Sequence, residues 1–123
     1  LENTVTLFLQ EQAEVANQLI AWIGPSISAP HYEVGSEVRD AFLREAEQRG
    51  HALSESCFDK SVNAQHYMAD LPKIAKERLN AMGVEAVYGG DLCTFSNPER
   101  FYSYRRQNPT GRFASLIWFN PRP

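Results

Sequence analysis

Residues 70–90 read DLPKIAKERLNAMGVEAVYGG and hold two elements in succession. Asp70 is placed to cap a helix and Pro72 fits its first turn. Leu71, Ile74, Ala75, Arg78, Leu79 and Met82 then recur at helical spacing. Gly83 stops the helix. VEAVYGG reads as a strand that ends at Gly89-Gly90. A helix handed directly to a strand is the unit of a layered α/β domain.

The flanking segments extend that reading. Upstream, residues 18–24 (QLIAWIG) form a short apolar run with Ile20, Trp22 and Ile23, which predicts a buried strand ended by Gly24-Pro25. Residues 25–35 (PSISAPHYEVG) carry two prolines and predict a loop. Ser36 is placed to cap a helix over EVRDAFLREAEQR, with Gly50 at its end. Val38, Ala41 and Phe42 form the inner stripe of that helix. Residues 51–66 are polar and without period, so a loop or irregular insertion is expected. Downstream, Tyr102–Arg106 and Phe113–Phe119 read as two strands around Asn-Pro-Thr-Gly. The fold class is therefore an α/β (α+β) layered domain with a mixed sheet and a C-terminal β-hairpin.

The 123 residues suffice for one modest domain. The formal charge of −3 gives no general drive toward nucleic acid or anionic membrane, so any anion site is local. No apolar run approaches the ~20 residues of a membrane span. Neither nucleic acid nor membrane is expected as a partner, and the expected location is cytoplasmic. Cys57 and Cys93 show no C-x-x-C spacing and are expected to be thiols. The opening LENTVTLFLQ is already in helical rhythm at Val5, Phe8 and Leu9, continued by Ala13 and Ala16. That beginning is the one expected of part of a larger domain.

Residues 101–112 (FYSYRRQNPTGR) concentrate chemistry. Arg105, Arg106 and Arg112 lie among Phe101, Tyr102 and Tyr104. Guanidinium groups fork onto phosphate or carboxylate and stack on rings. The same arginines would equally serve as a structural ion ladder with Glu99 or Asp91. In a strand, Tyr102, Tyr104 and Arg106 would share one face, and Phe101, Ser103 and Arg105 the other. His31, His51 and His66 have no ligand spacing between them, so no complete metal site is expected. Each is expected to face solvent, with a place lining a cleft as the alternative for His31. Cys93, with no base nearby in sequence, is expected to be a small buried apolar residue. On these residues alone the function stays open.

IGPSIS with YEVG, GGDLCT and FYSYRR…TGR, in this order and nearly end to end, resemble the C-terminal half of the YfiH-like family. That family carries the laccase-domain, or multicopper polyphenol oxidoreductase, label. The resemblance implies that residues 1–123 are the C-terminal part of a purine nucleoside phosphorylase domain, an enzyme when complete and inactive as an isolated chain. It implies zinc, with possible adenosine deaminase and methylthioadenosine phosphorylase activities. The older label implies copper and polyphenol oxidation instead, and a non-catalytic fragment is the third alternative. By the same resemblance the metal ligands, two histidines and a cysteine, belong to the half preceding Leu1. This chain then holds no catalytic residue and no metal ligand. Arg105, Arg106, Arg112, Tyr102 and Tyr104 become candidate substrate-binding residues for a purine nucleoside and phosphate, with the missing N-terminal half as partner. Tyr102 stands where the family pattern has Phe, and Gln107 where it has Asp, which removes a charge beside Arg106.

Overall fold

A computed structural model describes residues 2–11 and 18–118. Ala13, Ala16 and Phe119 therefore lie outside the described residues. The elements run α1 (Glu2–Glu11), β1 (Ile20–Ile23), β2 (Glu33–Gly35), α2 (Ser36–Gln48), β3 (Phe58–Lys60), β4 (His66–Ala69), α3 (Leu71–Ala81) and β5 (Ala86–Gly89). Turns of 3-10 helix precede β2 at Ala29–His31 and β3 at Glu55–Cys57. The mixed α/β architecture predicted from sequence is present, with parallel and antiparallel pairing in separate sheets.

The α3 segment forms for the reasons read from its residues. The Asp70 side chain accepts from the Lys73 N–H at 3.0 Å, and Pro72 occupies the first turn. Gly83 follows the helix with a φ of 84°. At α2 the cap differs from expectation. Gly35 is the N-cap and Ser36 is the first helical residue, because the Ser36 N–H is taken by the Gln65 carbonyl at 2.9 Å. Its inner face is Val38, Phe42, Leu43 and the fully buried Ala46, while Ala41 is exposed.

Residues 51–66 are not an irregular insertion. They contain β3 and the start of β4, which form the antiparallel sheet β2-β4-β3. These strands are three or four residues long, too short to display an alternating pattern. Pairing is what makes them strands: Val34 lies opposite Tyr67, and Asp59 opposite Met68. This sheet, α2 and α3 enclose Val34, Ala46, Leu53, Cys57, Phe58, Ala69 and Ile74. Full burial of such side chains contributes about 1.5–3 kcal/mol each for the larger ones.

β1 and β5 form a separate parallel pair, with Trp22 opposite Tyr88. The predicted strand β1 exists but is not buried. Ile20 is 75% exposed, Trp22 59% and Tyr88 61%, because among the described residues nothing covers that face of the pair. Past its end the pairing continues loosely. The Gly90 N–H donates to the Ile23 carbonyl, and Ser26 bridges Cys93.

The C-terminal hairpin is not formed among the described residues. Residues 104–106 turn instead, with the N–H groups of Arg106 and Gln107 both donating to the Ser103 carbonyl. Donors that a β-ladder would use are thus bound locally. Residues 113–118 run exposed and without regular structure, and Phe113 is tilted against Phe101 at 5.5 Å.

Candidate functional site

The three arginines go to three different places, Arg105 and Arg106 directed by the turn at 103–107. Arg106 points inward. Its Nη1 donates to the carbonyls of Thr94 and Phe95, at 2.5 and 2.8 Å, and its Nη2 to that of Phe101 at 2.6 Å. Arg105 crosses to the β2 region. There its Nη1 donates to the Glu33 carbonyl at 2.9 Å, and its guanidinium lies 5.0 Å from the Tyr32 ring centre. Arg112 is exposed and donates to the Gly111 carbonyl at 3.2 Å.

Arg112 shares a cleft of about 190 Å³ with Tyr102, Tyr104, Thr110, Gly111 and Phe113. Tyr102 continues into a neighbouring recess with Gln107 and Pro109, where the Asn108–Pro109 peptide is cis. Gly111 is flat against Tyr102. A Cβ there would come within 2.7–2.9 Å of the ring, so a larger residue would push the exposed Tyr102 ring aside. The cleft joins aromatic faces, two phenols, a hydroxyl and one guanidinium. Such a set suits a flat ring beside an anion.

Of the five predicted site residues, Tyr102, Tyr104 and Arg112 come together, while Arg105 and Arg106 do not join them. In a strand, Arg106 would share one face with the two tyrosines. The observed turn breaks that parity.

A second cluster was not read from sequence. Cys93 is half-buried and accepts from Ser28, whose Oγ lies at 2.9 Å and whose N–H nitrogen lies at 3.4 Å. The Ser96 hydroxyl reaches the same sulfur at 3.5 Å and lies 3.0 Å from His31 Nε2. His31 is half-buried, not solvent-facing, and stacks on Phe95 at 4.3 Å. Burial alone would raise the Cys93 thiol. Side-chain and backbone hydrogen bonds from Ser28 and Ser96 outweigh it and bring the thiol down to about 6. Cys57 is the opposite case: burial first, then the charge of Glu77, pushes it up to about 12. Ser96 three residues after Cys93 was the local signal. Ser28 and His31 are brought in only by the Ser26–Cys93 bridge.

Among the described residues no three His, Cys, Asp or Glu side chains converge on a metal position. His66 is exposed and bonds the Ala64 carbonyl at 2.9 Å, whereas His51 is half-buried, against expectation. Among the described residues no helix is long and apolar enough to cross a membrane.

The described residues form a mixed α/β domain with a ring-lined cleft that holds Arg112 on its C-terminal loops. This chain belongs to the family described as multi-copper polyphenol oxidoreductase laccase, which matches residues 1–120. It is 51% identical over 102 residues to the protein named purine nucleoside phosphorylase PA4543 of Pseudomonas aeruginosa, covering 83% of this chain and 40% of that one. It is 40% identical over 118 residues to purine nucleoside phosphorylase YfiH of Escherichia coli, covering 96% and 44%. The chain thus spans 40–44% of the length of these curated relatives. Among solved structures, YlmD of Geobacillus stearothermophilus shares the fold, with a TM-score of 0.70 at 24% identity, over 85% of this chain and 37% of that one. Protein NMB0706 of Neisseria meningitidis matches at 36% identity with a TM-score of 0.58, over 69% and 33%.

Proposed function

We propose that this chain is the C-terminal part of a purine nucleoside phosphorylase and that the Tyr102–Tyr104–Arg112 cleft belongs to its substrate site. The observation that carries the proposal is the convergence of those three side chains in a protein whose relatives bear that name. In phosphorolysis a phosphate oxygen bonds to the ribose C1′. The bond from C1′ to the purine nitrogen breaks, and the purine leaves with that electron pair and gains a proton. Arg112 holds phosphate through its planar fork, and the tyrosine rings lie against the base or sugar. Arg106, bound to three carbonyls, supports the loops beside the cleft. Arg105, held at the Glu33 carbonyl, does the same from the β2 side.

Adenosine deamination and methylthioadenosine phosphorolysis are further reactions of the same proposed site. Zinc would be the resident metal, held by residues outside this chain. The described residues compose no site for it. The bare face of β1 and β5 supports the reading that another part of the domain packs there. Copper-dependent phenol oxidation is favoured only by the family's description. The described histidines and cysteines do not gather into the multi-ligand set that chemistry uses.

The test is steady-state kinetics of the intact protein with inosine and varied phosphate. A charge-assisted contact is worth about 1.5–3 kcal/mol, so Arg112→Ala is expected to lower phosphate-dependent turnover about ten- to a hundredfold. Arg112→Lys keeps the charge but loses the fork, and stays low. Wild-type phosphate dependence in both variants removes Arg112 from the site. An intact protein that releases no hypoxanthine from inosine and phosphate overturns the phosphorylase reading itself. The 123-residue chain alone is expected to be silent in the same assay.

A further inference from the structure

We propose that Cys93 is a nucleophilic thiol for low-molecular-weight disulfides, with Ser28 and Ser96 stabilising its thiolate and His31 accepting its proton through Ser96. This inference does not rest on the phosphorylase reading. It stands on two serines from two chain segments brought to the Cys93 sulfur, with His31 bonded to one of them. Ser28 donates both its hydroxyl, at 2.9 Å, and its N–H, at 3.4 Å, and donors so placed favour the thiolate over the thiol. Ser96 stands between the sulfur, at 3.5 Å, and the His31 Nε2, at 3.0 Å. Stacking on Phe95 holds the imidazole there.

Activation moves two protons. The Cys93 S–H passes its proton to Ser96 Oγ as the Ser96 hydroxyl proton passes to His31 Nε2. A thiolate and an imidazolium remain, with a serine hydroxyl between them. An imidazole is the common side-chain base near neutral pH. The thiolate then attacks one sulfur of a disulfide. The new bond joins Cys93 Sγ to that sulfur, the original sulfur–sulfur bond breaks, and the second sulfur leaves as a thiolate carrying the electron pair. Cys57 is fully buried and cannot resolve the product. The mixed disulfide therefore persists until an external thiol removes it.

Among the described residues, His31 and Arg106 are bonded to this loop, and Asp91 lies on it two residues before Cys93. Arg106 is bound to the carbonyls of the two residues after Cys93 and stays cationic throughout. The pH response read from thiolate release is that of Cys93. The depressed thiol supports the geometry, since the hydrogen bonds outweigh burial.

The experiment mixes the full chain with a chromogenic aromatic disulfide from pH 5 to pH 9 and follows the released thiolate. Peptide mapping then locates the label. One equivalent is expected, on Cys93, with a rate that half-rises near pH 6 and levels off above pH 7. An ordinary thiol instead climbs to about pH 8.5. Ser28→Ala is expected to move the midpoint up by about one unit, since a bond to a charged group is worth about 1.5–3 kcal/mol and its neighbours compensate in part. His31→Gln preserves a partner for Ser96 but takes no proton, and it also raises the midpoint. Thermal melts confirm that both variants fold. An ordinary-thiol profile, label on Cys57 in place of Cys93, or an unmoved midpoint in both variants overturns the proposal.

Discussion

Arg106 commits its guanidinium to three main-chain carbonyls, while Arg112, six positions on, commits one bond to its neighbour. The two should therefore fail differently. Arg106→Ala is expected to lower unfolding free energy by about 2–3 kcal/mol, because carbonyls of a half-buried loop lose a charged donor. Arg106→Lys recovers only part of that, since one ammonium cannot span three acceptors in a plane. Arg112→Ala should melt like the parent chain. Denaturant unfolding of the three variants checks the ranking. The aromatic and basic clustering that marks Tyr102, Tyr104 and Arg112 was legible in the sequence because composition alone carries it. The inward turn of Arg106 was not. It depends on carbonyls at 94, 95 and 101 and on a turn closed by Ser103. No spacing of side chains announces those groups. Cys93 was hidden for the same reason, as its partners at 28 and 31 are brought in by pairing.

At the level of elements, legibility followed length. The α3 segment has a capping Asp70, a first-turn Pro72 and a terminal Gly83, and all three act as read. β2, β3 and β4 are too short for a pattern, and each is defined by its neighbour in the sheet. Helices α2 and α3 are linked by a charge contact that can be tested. Arg78 is 92% buried by its 8% exposure, and its Nη2 lies 3.2 Å from Glu45 Oε1. The Arg78 charge first, then its hydrogen bond, holds the Glu45 carboxyl below its ordinary value of 4.5, with Arg49 adding to it. A carboxyl depressed in the folded state stabilises the fold above its unfolded pKa. That contribution is lost as pH falls through the folded value. Stability of the parent chain is thus expected to fall below about pH 4.5, and Glu45→Gln to shallow that limb while lowering the plateau. Midpoints of denaturant unfolding at stepped pH measure both. An identical acid limb in the variant would assign the effect elsewhere.

Across the whole molecule, apolar cover is uneven. The sheet β2-β4-β3 and the two helices seal one core, and alternating helix and strand signals foretold that mixed architecture. The parallel pair β1–β5 was foretold as strands but not as an open face. Hydrophobicity alone cannot say whether a run meets its cover within these residues. Parallel pairs normally sit deep inside larger sheets, flanked on both faces. Here, among the described residues, β1 and β5 pair only with each other. Main-chain donors and acceptors along such edges template further strands. In solution this becomes a colloidal property. The isolated chain is expected to attract its own copies, with scattered light per molecule rising with concentration and a negative second virial coefficient at neutral pH. Trp22→Lys on β1 places a charge on the sticky face and is expected to move that coefficient toward zero without lowering the melting temperature. The feature that makes the face a good seat for more polypeptide thus also sets how concentrated a solution of the chain can be kept before it clouds.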